Sequence, residues 1–502
     1  MAGRKDNMSH KKIERILLVS PHYVILKNHY KTLTPPLGLA YIAAVLEKAG
    51  YEVKVLDVAA EGFNHDAPVG KRRIKFGLGY DEIKKRIKEF KPQVVGVSCI
   101  ISNQFESTKS ICKVAKEACD KIITVVGGGH PSALPREALQ SKSIDFVVIG
   151  EGEKTILELV KCLEKGEEPS HIDGLAFKKN DKTIVNPKTA YIENLDQIPF
   201  PARHLLPMDT YFKISLPQGL TYTKTPNTAM LTSRGCSANC IFCATTRFWG
   251  NKYRTRSPEN VIAEIDELVK NYGIKEIQFI DDNLTLNKKR AIAIFRSIKK
   301  RFKIAWSTPQ GIAPWALDEE LIKEMKDSGC YEISLAVESG DQDILKQVIR
   351  KPGSLDKIKR LVKEINKLKM MSKGFFVIGL PGETKEQIQK TFKFALDIKL
   401  DSASFFLATP LPGTRLYSLC VEKGYLKKGF DFNSIDYNIG NIKTPDFTPD
   451  ELERLLNRQM AIFNLKLFMR NPIKFIRKYT LLLTHNPRMM VKYVLGLIKN
   501  WE

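Results

Sequence analysis

The chain has 502 residues, 43% apolar and 27% charged, which is ordinary for a folded protein and long enough for two or three domains. Its nine cysteines lack paired spacing, which excludes a disulfide framework and points to a reducing compartment; the lysine-rich start excludes a signal peptide, and no run of about 20 apolar residues could span a membrane. A formal charge of +24 fits an anionic partner (nucleic acid, a phosphorylated cofactor or a membrane surface) or simply a lysine-rich exterior.

The first third alternates strand and helix. Residues 16–19 (Ile-Leu-Leu-Val) form a short apolar strand, and helical spacing follows over 37–49. Further strands are predicted at 52–57, 94–98, 122–126 and 146–149, with a helix over 105–118. Apolar runs of this length between helices are parallel strands covered on both faces. The fold class is therefore α/β, with a doubly wound, Rossmann-like sheet that binds ligands beyond the carboxyl ends of its strands. Those ends carry Ser98-Cys99-Ile100, Gly127-Gly128-Gly129-His130 and Gly150-Glu151-Gly152.

Residues 173–226 break the alternation with a short hairpin and a Pro-rich stretch, and are expected to be a linker. A second alternating set begins after it. Its strands are predicted at 229–232, 276–280, 305–308, 332–336, 373–378 and 402–407, with helices such as 258–272 and 288–302 between them. Ser257-Pro258-Glu259 is a helix start: N-cap, Pro at the first position, acid in the first turn. Six strand–helix units predict a partial (β/α)6 barrel, with its site at the carboxyl ends of the strands. Thr448-Pro449-Asp450-Glu451 repeats the start signal and opens a helical, increasingly basic region.

Directly after the first barrel strand the chain reads Arg234-Gly235-Cys236-Ser237-Ala238-Asn239-Cys240-Ile241-Phe242-Cys243. Three thiolates so close can wrap one metal centre. A four-iron cubane held by three cysteines keeps one iron open. Structural zinc would want a fourth Cys or His, and none occurs within about the next twenty residues.

This triplet, with Phe242 before its third cysteine, resembles the radical S-adenosylmethionine superfamily. The resemblance implies a 4Fe-4S cluster on Cys236, Cys240 and Cys243, which are then both metal ligands and the catalytic centre. The open iron would chelate the methionyl group of S-adenosylmethionine, and electron transfer would release a 5'-deoxyadenosyl radical. It also implies S-adenosylmethionine contacts at Phe242, at Asp281 or Asp282, at Gln310, at Glu338 and Ser339, and at Gly379. The Asp-Asp pair stands where carboxylates meet the methionyl ammonium, and which of the two does so is open; a helix N-cap is the other reading. Ser-Leu-Ala-Val-Glu-Ser-Gly over 334–340 resembles the motif that contacts the ribose, and Val-Ile-Gly-Leu-Pro-Gly-Glu-Thr over 377–384 the one beside adenine.

The amino-terminal sheet extends the likeness to the cobalamin-binding branch, which includes the anaerobic magnesium-protoporphyrin cyclase and class B methyltransferases. The matching stretches are Pro35-Pro36-Leu37-Gly38, the three glycine- and serine-bearing strand ends of that sheet, and Leu195-Asp196-x-Ile198-Pro199-x-Pro201. Cobalamin contacts are implied at Leu37, Gly38, Ser98, Ile100, Gly127, Gly128, Gly129, His130, Gly150 and Glu151; tight turns are the other reading of the glycines. The implied division is a cobalamin-binding domain over 14–172, the linker over 173–226, a radical core over 227–420 and a helical carboxyl-terminal region over 421–502. One departure matters. The first strand is followed by Ser20-Pro21-His22-Tyr23 rather than Asp-x-His-x-x-Gly, so no histidine ligand to cobalt is expected from that loop.

Residues 465–502 hold eight Lys/Arg and one acid among many apolar residues. Helices of that make-up lie on anionic membranes; a helical cap with a solvated basic face is the other reading. The membrane reading favours a lipid-like substrate, and nucleic acid ranks last. The expected function is methylation of an unactivated carbon in a hydrophobic or lipid-like small molecule. Alternatives are an oxidative or ring-forming reaction with the same cofactors, or a non-catalytic cobalamin or lipid carrier. A flavodoxin or ferredoxin would supply electrons, in the cytoplasm or against the inner face of its membrane. A tRNA methylthiotransferase is disfavoured, because Cys112 and Cys119 share a helix face instead of building a second cluster.

Overall fold

The computed structural model describes residues 12–27, 29, 31–214, 222–473 and 475. They fall into two units. One holds most of the chain up to Tyr211 together with Arg247–Gly250; the other holds Phe212–Thr246 and the chain from Asn251 onward.

In the first unit, strand Arg15–Ser20 sends Ile16 and Leu18 into one apolar core and Leu17 and Val19 into another. A strand apolar on both sides is stable only between two helical layers. Helices Leu37–Lys48 and Gly152–Glu164 cover one face, and Tyr80–Phe90 and Phe105–Ala118 the other. Five parallel strands run in the order Phe146–Val148, Ile123–Gly127, Val94–Ser98, Arg15–Ser20, Glu52–Asp57. The order reverses between Arg15–Ser20 and Val94–Ser98, so the crevice opens at their carboxyl ends.

Two features depart from expectation. The hairpin Leu175–Lys179 and Lys182–Val185, expected within the linker, extends this sheet antiparallel, with Phe177 opposite Phe146. A separate three-stranded sheet of Tyr23–Leu26, Asp66–Val69 and Arg73–Phe76 was not predicted.

In the second unit six parallel strands follow one another in chain order: Asn227–Met230, Glu276–Phe279, Ala305–Ile312, Cys330–Glu338, Met371–Ile378 and Ser402–Leu407. Their outward residues (Ile277, Phe279, Ile333, Leu335, Phe376) join the helices in one core. Trp306, on the third of these strands, belongs to that core, between the rings of Phe279 at 5.3 Å and Phe295 at 4.9 Å. Helix Pro258–Tyr272 starts as predicted, the Ser257 hydroxyl accepting from the Asn260 N–H at 3.1 Å. Helix Pro449–Arg470 opens with a reciprocal Thr448–Glu451 cap and buries Leu452, Leu456, Phe463 and Leu467 against the barrel core. Beyond it, most of the basic region lies outside the described residues. Among those described, Leu465, Phe468, Met469 and Ile473 are exposed, and no helix is long and apolar enough to cross a membrane.

Candidate active site

The cysteines lie on an excursion with a fixed stem. Ser233–Arg234 pairs antiparallel with Arg254–Thr255, so everything between leaves and re-enters the barrel at one point. Asp281, just past the second strand, accepts hydrogen bonds from the Thr232 N–H and hydroxyl, at 3.1 and 2.7 Å, and from the Ser233 hydroxyl. Arg290 donates to the Thr232 carbonyl at 2.7 Å and to the Arg256 carbonyl at 2.6 Å. Arg256 in turn forms a buried ion pair with Glu264. Buried charges that are paired and hydrogen-bonded in this way favour one geometry.

Within the loop, the Cys243 N–H donates to the Cys240 carbonyl at 3.0 Å. Ile241, between them, is held on both sides by backbone: its N–H donates to Ile349 O at 3.2 Å and its carbonyl accepts from Leu416 N–H at 2.9 Å. Asp282 accepts from the Gly235 N–H at 3.2 Å and from the Thr245 hydroxyl at 3.1 Å. The Cys243 thiol reaches the same Thr245 oxygen at 3.2 Å.

Burial pushes all three thiols up, Cys240 to about 12. Cys240 feels both other thiols and Glu338, while Asp282 lies close to Cys236 and Cys243; all of these oppose a thiolate. Lys351 lies near Cys236 and Cys240 and favours one. Three half-buried thiols held protonated by desolvation and by one another suit a cationic partner, which an iron–sulfur cluster would supply. Among the described residues no three Cys, His, Asp or Glu converge as one mononuclear ion requires. A cubane spreads its cysteines over different irons, so three cysteines on one loop can hold it and leave one iron open.

The structure separates the residues expected around S-adenosylmethionine. Asp281 is filled by the loop stem, whereas Asp282 faces the thiols, its carboxyl pushed up to about 6 by burial. Glu338 is buried, at a left-handed φ of +70° beside a register shift, and its carboxylate is 2.6 Å from Lys351. The Ser339 hydroxyl is already engaged, with Thr391 at 3.2 Å and the Asp341 N–H at 3.1 Å. Gln310 is exposed on the irregular part of the third strand, and Phe242 is half-buried against the barrel core. Gly379 has φ +80°, but a Cβ there would lie 2.5 Å from Leu452, so a protein side chain fills the space expected to be open. Sequence reasoning missed Thr245 and Lys351. Thr245 stands two residues past Cys243, and its closeness to the triplet was a usable signal. Lys351 has no local signal, and only the turn after Ile349 brings it to the cysteines.

The carboxyl edge of the first unit's sheet gathers the other expected set. Ser98 is half-buried at the end of its strand, Ile100 is 55% exposed beyond it, and Gly38 is exposed in the first turn of its helix. A Cβ on Gly128 would lie 2.7 Å from Cys99 O, and one on Gly129 2.1 Å from Ile100 O. No side chain fits either position, so Gly127–Gly129 bring two strand ends together and leave Ser98 and Ile100 presented. A flat, mixed polar and apolar ligand fits that edge. The remaining residues are committed to protein: Leu37 is buried, Glu151 accepts from the Ile192 N–H at 2.9 Å, and Gly150 donates to the Ser132 hydroxyl at 2.9 Å. The His130 ring is buried 4.2 Å from that of Phe105. Both nitrogens of His22 are engaged, with Ser107 at 2.6 Å and Leu78 O at 2.7 Å.

Two family descriptions match the chain: "B12 binding domain" over residues 23–160 and "Radical SAM superfamily" over 230–395. It is 37% identical over 465 residues to a cytidylyl-2-hydroxyethylphosphonate methyltransferase of Streptomyces wedmorensis, covering 87% of each protein. It is 28% identical to the anaerobic magnesium-protoporphyrin IX monomethyl ester cyclase of Rubrivivax gelatinosus, over 93% of this chain and 80% of that one. In fold it is similar to a radical S-adenosylmethionine methyltransferase, TsrM, from Kitasatospora setae, solved with cobalamin and a [4Fe-4S] cluster. That likeness has a TM-score of 0.66 at 19% identity and covers 82% of this chain and 75% of that one.

Proposed function

The chain belongs to the cobalamin-binding radical S-adenosylmethionine enzymes, and from that premise we propose that it methylates an unactivated carbon of a small molecule. Its cofactors are a 4Fe-4S cluster, S-adenosylmethionine and cobalamin. Bound, they supply a carbon-centred radical from one S-adenosylmethionine and a cobalt-carried methyl group from another. The observation that carries the reading is the loop of three half-buried thiols at the carboxyl end of the first barrel strand, in a chain 37% identical to a methyltransferase.

The chain's own residues divide the work. Cys236, Cys240 and Cys243 hold the cluster, and the Ile241 backbone and Asp281 fix the loop that carries them. Asp282 is the carboxylate left to meet the methionyl ammonium. The ribose contact falls to Glu338, since the Ser339 hydroxyl is engaged. In the first unit, Ser98, Ile100 and Gly38 present the surface for cobalamin, with the Ser98 hydroxyl set to bond a ring nitrogen of its nucleotide tail.

A small flavodoxin or ferredoxin in the cytoplasm suits the low-potential electrons that such a cluster needs. A hydrophobic or lipid-like acceptor, and contact with a membrane, have in their support the exposed Leu465, Phe468, Met469 and Ile473. The cyclase relative supports a second reading, oxidation or ring formation with the same cofactors.

The test is anaerobic reconstitution with iron, sulfide and hydroxocobalamin, then reduction with S-adenosylmethionine. Retained corrin and iron–sulfur absorbance, with S-adenosylhomocysteine and 5'-deoxyadenosine both formed, is the expected result, and an acceptor heavier by one CH2 identifies methylation. An acceptor that loses hydrogen without gaining carbon would make it a cyclase or oxidase. No 5'-deoxyadenosine at all would leave a carrier.

A further inference from the structure

Asp282 is tied to both ends of the cysteine loop. One carboxylate oxygen accepts from the Gly235 N–H at 3.2 Å, beside Cys236. The other accepts from the Thr245 hydroxyl at 3.1 Å, two residues past Cys243. The same Thr245 oxygen lies 3.2 Å from the Cys243 sulfur. Cys243, Thr245 and Asp282 therefore form one hydrogen-bonded chain. All three are half-buried, so none is sealed in the interior. Among the described residues, Cys236 and Cys240 meet no side-chain hydroxyl; Cys243 alone of the triplet does.

The direction of this chain depends on how many protons it holds. A threonine hydroxyl carries one proton and can also accept. In the iron-free protein the Cys243 S–H donates to Thr245, and the Thr245 O–H donates to Asp282. A cysteine that ligates iron has no proton to give. The Thr245 hydroxyl then stands between two anionic acceptors, a thiolate and a carboxylate, with one proton for both. Asp282 competes well while its charge is unmet. An ammonium drawing on the carboxylate weakens that claim, and the hydroxyl turns to the sulfur. A hydrogen bond to a ligand sulfur stabilises the reduced, more negative cluster and so raises its reduction potential.

We infer that Thr245 is a positioning residue that relays the arrival of the methionyl ammonium at Asp282 to the Cys243 sulfur, so that the cluster becomes easier to reduce once S-adenosylmethionine is in place. An electron is then taken up preferentially where a sulfonium waits to receive it. The relay rests on the reading of Asp282 as the carboxylate that meets the ammonium.

The test is a pair of redox titrations of the reconstituted holoenzyme, without ligand and with saturating S-adenosylhomocysteine. Both are read on the electron paramagnetic resonance signal of the reduced cluster. The probe carries the methionyl ammonium and has no sulfonium to cleave, so no turnover enters the measurement. With the probe, the reduced cluster of wild type should be favoured over that of Thr245→Val by about tenfold, about 59 mV for one electron, against about twofold at most between the ligand-free proteins. Thr245→Ser keeps the hydroxyl and should follow wild type. A difference between wild type and Thr245→Val that does not grow with the probe overturns the relay. Failure of both Thr245→Val and the smaller Thr245→Ala to take up iron would make the hydroxyl a loop former and overturn it too. Equilibrium dialysis of S-adenosylhomocysteine tests the reading beneath it. Asp282→Asn should bind the probe about tenfold more weakly. Wild-type affinity in Asp282→Asn, or no binding to wild type, sinks the assignment of the ammonium; the expected loss there, with a difference in the titrations that the probe leaves unchanged, sinks the relay alone.

Discussion

Glu383 closes the turn after the fifth barrel strand. One carboxylate oxygen accepts from the Gly379 N–H at 2.7 Å and the Leu380 N–H at 3.1 Å, and the other has no partner. Burial raises its affinity for the proton to about 7, against 4.5 for an exposed glutamate. The unfolded chain therefore releases this proton near pH 4.5 while the fold keeps it until about 7. Over that window the unfolded state binds fewer protons, so stability falls as pH rises, by roughly 3 kcal/mol at most. Glu383→Gln keeps an acceptor for both N–H groups and removes the titration. Its melting temperature at pH 8 should exceed that of wild type, and the two should converge near pH 4.5; parallel curves would refute the account. The Asp-Asp pair shows what a sequence withholds at this scale. Asp281 and Asp282 are chemically identical in the string, and only the Thr232 and Ser233 bonds to one of them leave the other facing the thiols.

Among the elements, helix starts were the most legible, because an N-cap is a local arrangement of neighbours in the chain. Ser257-Pro258 and Thr448-Pro449 both begin helices where expected. Thr448→Ala removes one half of a reciprocal cap and should cost about 1 kcal/mol. Faster hydrogen exchange at the Glu451 and Leu452 amides, about fivefold, would show it, while the Pro258–Tyr272 helix stays unchanged. The three strands of the unpredicted separate sheet are four residues each, and one contains Pro68. Their pairing joins Tyr23 to Phe76, far apart in sequence, so no local pattern announces it. The hairpin over 175–185 was seen as a hairpin but not as sheet, because its place depends on Phe146 beyond a whole helix.

For the molecule as a whole, order was legible and chemistry between distant residues was not. Successive strand–helix units permit few topologies, and the barrel strands pair in chain order as a consequence. Lys351 beside the cysteines depends on which strands curve toward each other, which no spacing states. Two compact units, each carrying one of the expected cofactor surfaces, also predict separate cofactor loads. A chain with Cys236, Cys240 and Cys243 all changed to alanine should lose its iron–sulfur absorbance yet retain corrin after desalting; loss of both would show one load to depend on the other. The two backbone bonds at Ile241 carry a last consequence, for how the protein is made. Neither involves a thiol or a side chain, so the loop can take its shape before iron arrives. Iron-free protein is then expected to accept a cluster by reconstitution without first being unfolded, and slow hydrogen exchange at the Ile241 and Leu416 amides before iron is added would show the loop already in place.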